Sequence, residues 1–183
     1  MGSFYTNHTV RGPSQAQLLE WLHDRPAFVS KVEHGQAVVL DAECEEQDGE
    51  VLAGLASQIS KQFSCPVLAV LNHDDDVLYF ELYENGIKTD EYNSSPSFFD
   101  ESADTDEPLG GDAERLCSVF NATDPEKVEA ALRGDYVFAF KRHRDLALAL
   151  GLPIYSVGLG YNYVSEGDLP PDAPDGEYKH SEA

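Results

Sequence analysis

Residues 66–92 read PVLAVLNHDDDVLYFELYENGIKTDEY, and the fold turns on this stretch. Val67 to Leu71 is a continuous apolar run, the pattern of a strand buried on both faces and so near the middle of a sheet. The acidic turn His73-Asp74-Asp75-Asp76 separates it from a second β-rich run, Val77 to Tyr83. Asn85-Gly86 then stands between two alternating runs. A type I′ turn needs positive φ at both central residues, which makes Asn-Gly the strongest short-range hairpin signal. With these two as the turn, Glu84 faces Ile87, and counting outward pairs Tyr83 with Lys88, Glu81 with Asp90 and Tyr79 with Tyr92. Tyr79, Glu81, Tyr83, Lys88, Asp90 and Tyr92 then share one face, expected to point to solvent, while Leu78, Phe80, Leu82, Ile87 and Thr89 point to the core.

Upstream, strand and helix signals alternate. FYTNHTV (residues 4–10) reads as a strand. Ser14 with Gln17 forms a capping box that opens a helix carrying Leu18, Leu19, Trp21 and Leu22 on one side, and Pro26 closes it. AFVSKVE and QAVVLDAE are two β-rich runs around His34-Gly35, a second hairpin. Val51, Leu52, Leu55, Ile59 and Phe63 then recur at helical spacing. The order β-α-β-β-α-β-β-β resembles a ferredoxin-like (split βαβ) sheet extended by a β-meander, so the expected class is α+β.

Downstream, residues 93–112 turn to Ser, Pro, Asp and Gly without periodicity and read as an acidic loop. Helices are expected over Glu114 to Phe120 and Pro125 to Leu132, the second with Thr123 and Glu126 as capping box and Gly134 as stop. YVFAF (136–140) reads as a strand, Arg142 to Leu150 as a helix closed by Gly151 and Pro153, and IYSVGLGYNYV (154–164) as strand and turn. One domain over 3–169 is expected: sheet core to 92, loop to 112, then a helical and aromatic segment packed on the sheet. PPDAPDGEYKHSEA (170–183) has the composition of a disordered tail.

Thirty-four Asp and Glu oppose twelve Lys and Arg in 183 residues, a formal charge of −22. Fourteen of the carboxylates, against the single base Lys88, fall between Asn72 and Glu114. Phosphate binding draws its affinity from Lys and Arg that displace counterions, so nucleic acid and anionic membrane are not expected partners. A basic protein is. The apolar fraction of 42% supports a core that buries about 70% of the unfolded surface. Cys44, Cys65 and Cys117 are widely spaced with no CxxC pair, which fits free thiols in a reducing compartment. No apolar run reaches the length of a membrane span and no signal peptide is visible, so the expected location is cytosolic.

Several patterns carry candidate chemistry. Glu81 opposite Asp90 would set like charges across a ladder, at a cost of about 0.2–1 kcal/mol, calling for Lys88, a cation or a bound partner in compensation. The alternatives there are a plain solvated face and a metal or catalytic carboxylate pair. Lys141-Arg142-His143-Arg144 is the one basic cluster; at a helix start it opposes the macrodipole, which suggests pairing with the acidic loop or a weak anion site made by Lys141, Arg142 and Arg144. His73 to Asp76 lacks the alternating ligand spacing of a calcium loop. Gly158-Leu159-Gly160 lacks the third glycine of a dinucleotide fingerprint and reads as backbone turns. A Cys65 or Cys117 nucleophile with a histidine has no linear signature behind it.

These features favour a non-enzymatic binding protein that uses an acidic, tyrosine-containing surface to engage a basic partner, in the manner of bacterial immunity proteins or inhibitors. No cofactor or metal is expected, and nothing in the sequence sets an oligomeric state. The alternative is a small-molecule or metal-dependent enzyme built on the carboxylate pair or the basic cluster.

Overall fold

The computed structural model describes residues 2–100, 102–169 and 175–181. Eight strands form one open sheet in which every neighbour is antiparallel: β1 (Tyr5–Arg11), β2 (Ala27–Val29), β3 (Gln36–Asp41), β4 (Val67–His73), β5 (Val77–Glu84), β6 (Ile87–Asn93), β7 (Leu109–Gly110) and β8 (Lys179–His180). Their order across the sheet is β7-β6-β5-β4-β1-β3-β2-β8. Six helices accompany them among the described residues: α1 (Gln15–Trp21), α2 (Gly49–Phe63), α3 (Ala113–Phe120), α4 (Pro125–Arg133), α5 (Ala139–Leu150) and α6 (Tyr161–Glu166). The protein is mixed α+β.

Both faces of the sheet are covered. Leu18, Leu52, Leu55 and Ile59 of α1 and α2 pack on Val10, Val39, Val67 and Ala69. Leu116, Phe120, Val128, Leu132, Leu146 and Leu150 of α3 to α5 pack on Leu68, Val70, Leu78, Phe80 and Leu82 of the opposite face. The apolar run Val67 to Leu71 is therefore buried on both sides, as its composition implies. The capping box at α1 is present: the Ser14 hydroxyl accepts from the Gln17 N–H at 3.2 Å and the Gln17 side chain accepts from the Ser14 N–H at 2.9 Å. Asn85 and Gly86 both take positive φ, as the hairpin demands.

The ladder beyond that hairpin departs from simple counting. Tyr83 pairs with Lys88, but Leu82 pairs with Asp90, Glu81 with Glu91, Phe80 with Tyr92 and Tyr79 with Asn93. Thr89 is the extra residue of a bulge between Leu82 and Tyr83. One inserted residue reverses the facing of everything after it. Tyr92 consequently turns into the core, stacks on Phe80 with ring centroids 5.1 Å apart, and donates its hydroxyl to the Leu132 carbonyl at 2.6 Å. Ile87, expected in the core, is 68% exposed at the hairpin tip. Burying the larger aromatic ring together with a satisfied hydroxyl outweighs burying one isoleucine.

Four other expectations change. YVFAF is a connection followed by the first turn of α5, because the Ala139 N–H is taken by the Asp75 carbonyl at 2.7 Å and the chain enters the helix there. Residues 154–164 form a 3₁₀ turn and α6 rather than a strand. Asp124, not Thr123, caps α4, accepting from the Lys127 N–H at 3.1 Å. The tail is not wholly disordered. Of residues 170–183, those at 175–181 run along β2; Lys179 and His180 pair with Val29 and Phe28, and Tyr178 packs against Tyr155. Residues 170–174, 182 and 183 lie outside the described residues.

The bulged register makes a direct prediction. Tyr92→Ala should cost about 3–5 kcal/mol in denaturant unfolding, as for other buried aromatic truncations. A loss below about 1 kcal/mol would place Tyr92 on the solvent face and restore the unbulged ladder.

Candidate functional site

Glu81 is the most heavily engaged carboxylate of the meander. Its Oε1 accepts from the Tyr79 hydroxyl at 2.6 Å and from Lys88 Nζ at 3.0 Å, and its Oε2 accepts from the Tyr83 hydroxyl at 2.7 Å. Lys88 also reaches Glu91 at 2.5 Å, so it bridges the two carboxylates that face each other across the ladder. Burial alone would raise the pKa of Glu81, but the bonds from Tyr79, Tyr83 and Lys88 together outweigh it and hold the carboxyl below its ordinary value. Burial and the adjacent Glu81 charge push both phenols upward.

This is not the exposed working face expected from the sequence. Glu81 and Tyr83 are buried, and Tyr79 and Tyr83 join the apolar layer under α1 and α2. Asp90 lies on the opposite face, where it accepts from the Asp112 N–H at 2.8 Å, and Tyr92 is in the core. The six side chains are thus divided between two faces by the Thr89 bulge. Lys88 supplies the compensation that the opposed carboxylates require. Glu81 and Asp90 form no carboxylate pair.

The basic cluster also disperses. Arg142 is buried and donates to the carbonyls of Ala131, Leu132 and Gly134 at 2.6–3.2 Å, closing the C-terminal end of α4, while its guanidinium lies 4.6 Å from the Tyr136 ring centroid. It is paired with backbone rather than with the acidic loop. His143 is buried against the Tyr5 hydroxyl at 2.9 Å, and burial lowers its pKa to about 4. Lys141 and Arg144 are exposed and do not converge with Arg142 on one site.

The acidic turn is structural. Asp74 accepts from the Gly2 N–H at 2.7 Å, and Asp75 from the Ser3 N–H at 3.1 Å and from Asn72 at 3.0 Å, so the turn holds the N-terminal segment. No group of three or more potential metal ligands occurs among the described residues. All three cysteines are free and buried, and burial raises each thiol, Cys65 to about 11. A thiol raised in this way is a poor nucleophile at neutral pH.

A different set of side chains meets at the end of the sheet where β1 begins and β3 and β4 finish. A cleft of about 380 Å³ is lined by Phe4, Glu45, Glu46, Gln47, Leu71, His73 and Phe99. His73 contacts the rings of Phe4, Phe98 and Phe99 with centroids 4.9, 5.6 and 5.4 Å away. The rings nevertheless remain 39%, 45% and 55% exposed in the order Phe4, Phe98, Phe99. Gln47 ends the 3₁₀ turn Cys44–Glu46 with positive φ, donates to the Asn72 carbonyl at 2.8 Å and hydrogen-bonds His73 at 2.6 Å. One wall is thereby fixed.

Glu45 sits where this cleft meets the start of α6. Burial raises its carboxyl from the ordinary 4.5 to about 7, against the backbone N–H groups of Tyr161 and Asn162, which favour the charged form. A Cβ at Gly160 would collide with that carboxylate, so the glycine permits close approach. Neither Glu45 nor Glu46 has an ion-pair partner among the described residues. The sequence reading missed this cleft. The only available hint was Phe98-Phe99, two large rings inside a stretch otherwise rich in Ser, Pro and Asp.

Comparison with protein-family models, with curated proteins and with solved structures finds no match. The functional reading therefore rests on chemistry and geometry.

Two predictions separate structural carboxylates from available ones. Because Glu81 has a depressed pKa, it adds stability above its unfolded pKa that is lost on acidification. Glu81→Gln should cost about 2–3 kcal/mol at pH 7, with the difference from wild type shrinking below pH ~4, read by urea unfolding. Glu45 has the opposite sign. Its raised pKa favours the fold below pH ~4.5, and that contribution is lost as pH rises through about 7. Glu45→Gln should match wild type near pH 4 and exceed it by on the order of 2–3 kcal/mol at pH 8; a constant difference across this range would contradict the assignment.

Proposed function

We propose that the protein is a binding protein, inhibitor-like or immunity-like, that engages a basic protein partner through its acidic surface. The observation that carries this reading is the exposed aromatic cluster Phe4, Phe98 and Phe99 beside carboxylates that have no ion-pair partner among the described residues. Aromatic anchors within a polar rim are the usual composition of a protein-binding hot spot. A net charge of −22 accelerates encounter with a cationic partner and disfavours acidic ones.

The working surface in this proposal is the end of the sheet, since the Glu81 network is satisfied internally. The strand order β4-β1-β3-β2, with α1 and α2 as its connections, supports reading residues 5–73 as a split βαβ unit. The proposed setting is the cytosol, supported by three free, buried thiols. Separately, no helix among the described residues is long and apolar enough to cross a membrane.

The test starts from the immobilised protein at low and high salt, with the retained protein identified, purified and returned for kinetics. The expected partner has an isoelectric point above ~9, and its association rate falls at least about tenfold between ~50 and ~500 mM salt. An acidic partner, or an association rate indifferent to salt, would overturn the proposal.

A further inference from the structure

The cleft at the end of the sheet combines three features: exposed phenylalanine rings, a half-buried carboxylate with no cation beside it among the described residues, and a hydrogen-bonded wall. We propose that this cleft receives an arginine side chain, with the guanidinium against Glu45 and Glu46 and its plane on the Phe4 and Phe99 rings. The proposal deepens the reading of a basic partner and rests on it.

A carboxylate taken partly out of water without a counter-charge costs free energy that a cation in the same space recovers. Arg25, Lys31, Lys88, Arg115, Lys127 and Arg133 are the lysines and arginines with ion pairs in the structure, and each is committed to carboxylates elsewhere. None of the ion pairs among the described residues reaches Glu45 or Glu46, so a cation for these carboxylates can be supplied by another molecule. The ring faces decide which cation fits. A guanidinium is planar, more weakly hydrated than an ammonium, stacks on aromatic faces and donates parallel N–H bonds to a carboxylate along its edge. An ammonium would satisfy the carboxylates but forgo stacking.

The cleft is prepared in advance. Gln47 is tied to Asn72 and His73, His73 is packed among three rings, and the floor is Leu71, only 6% exposed. Little ordering is left for the moment of binding, which favours affinity. A second cleft, of about 520 Å³ beside Arg133 and Arg142, is less suited to an arginine. Its own two guanidiniums already bond backbone carbonyls and would repel another.

The probe is N-acetyl-arginine amide, titrated into the isotope-labelled full chain while backbone amide resonances are followed, with N-acetyl-citrulline amide as the neutral isostere. Expected are saturating shifts confined to Phe4, the Glu45 to Gln47 turn, His73 and Phe99, at least about tenfold weaker binding of citrulline, and a similar loss in Glu45→Gln/Glu46→Gln. Phe99→Leu should weaken binding about threefold or more while keeping a dispersed spectrum, a check that does not depend on the carboxylates. No shift at the cleft, equal binding of citrulline, or tighter binding of N-acetyl-lysine amide would overturn the arginine assignment. The salt-dependent association with a basic partner is a separate measurement. If it survives in the Glu45→Gln/Glu46→Gln variant, the cleft is refuted and the broader reading stands; if wild type lacks it, the broader reading fails.

Discussion

β1 is paired on both edges and covered on both faces, and this constraint organises the molecule. Its run Tyr5 to Thr9 is nearly all polar, yet every residue in it is at most 1% exposed. Polar groups buried in that way need partners; the Tyr5 hydroxyl, the Asn7 amide nitrogen and His8 Nε2 find them in distant segments, whereas Thr6 Oγ1, Asn7 Oδ1 and His8 Nδ1 have none among the described residues. Tyr5 meets His143 of α5, Asn7 donates to the carbonyls of Ser156 and Leu159, and His8 hydrogen-bonds the Leu52 carbonyl in α2. The same strand thus fixes α2 on one side and the α5-to-α6 segment on the other. By holding Ser156 and Leu159 it also sets where α6 begins, and therefore where the Glu45 carboxylate lies.

The Thr89 bulge is the second organising device. It sends Tyr92 inward to Phe80 and Leu132 and leaves Glu81 opposite Glu91, with Lys88 between them. Two acidic residues across a ladder would repel, but a lysine shared between them and two tyrosine hydroxyls on Glu81 convert the clash into a closed network. The acidity of the meander is used up in holding the sheet. The acidity at the end of the sheet is not. Glu45 and Glu46 stand beside exposed rings without an ion-pair partner among the described residues, unlike the internally satisfied Glu81.

Much of the architecture was legible in the chain. The strand Val67–His73, the Asn85-Gly86 turn, the Ser14 capping box and the periodicity of α2 and α3 are local signals, each set by residues within a few positions of one another. The candidate site was not. Phe4, Glu45, His73 and Phe99 are spread over 96 positions of sequence, and only the antiparallel pairing of β1 with β3 and β4 brings the first three to one end of the sheet.

By itself, then, the sequence determined the α+β class, the strongly acidic character, and those elements whose periodicity and turn chemistry are local. Tertiary structure alone decided the facing of β6, the fate of Arg142 and the placing of residues 175–181 along β2. The reason is the same in each case. Whether Tyr92, Arg142 or Tyr178 is buried depends on partners far away in the chain, namely Phe80 and Leu132, the end of α4, and Tyr155. Local propensity is silent about such contacts because their free energy exists only once the segments have met.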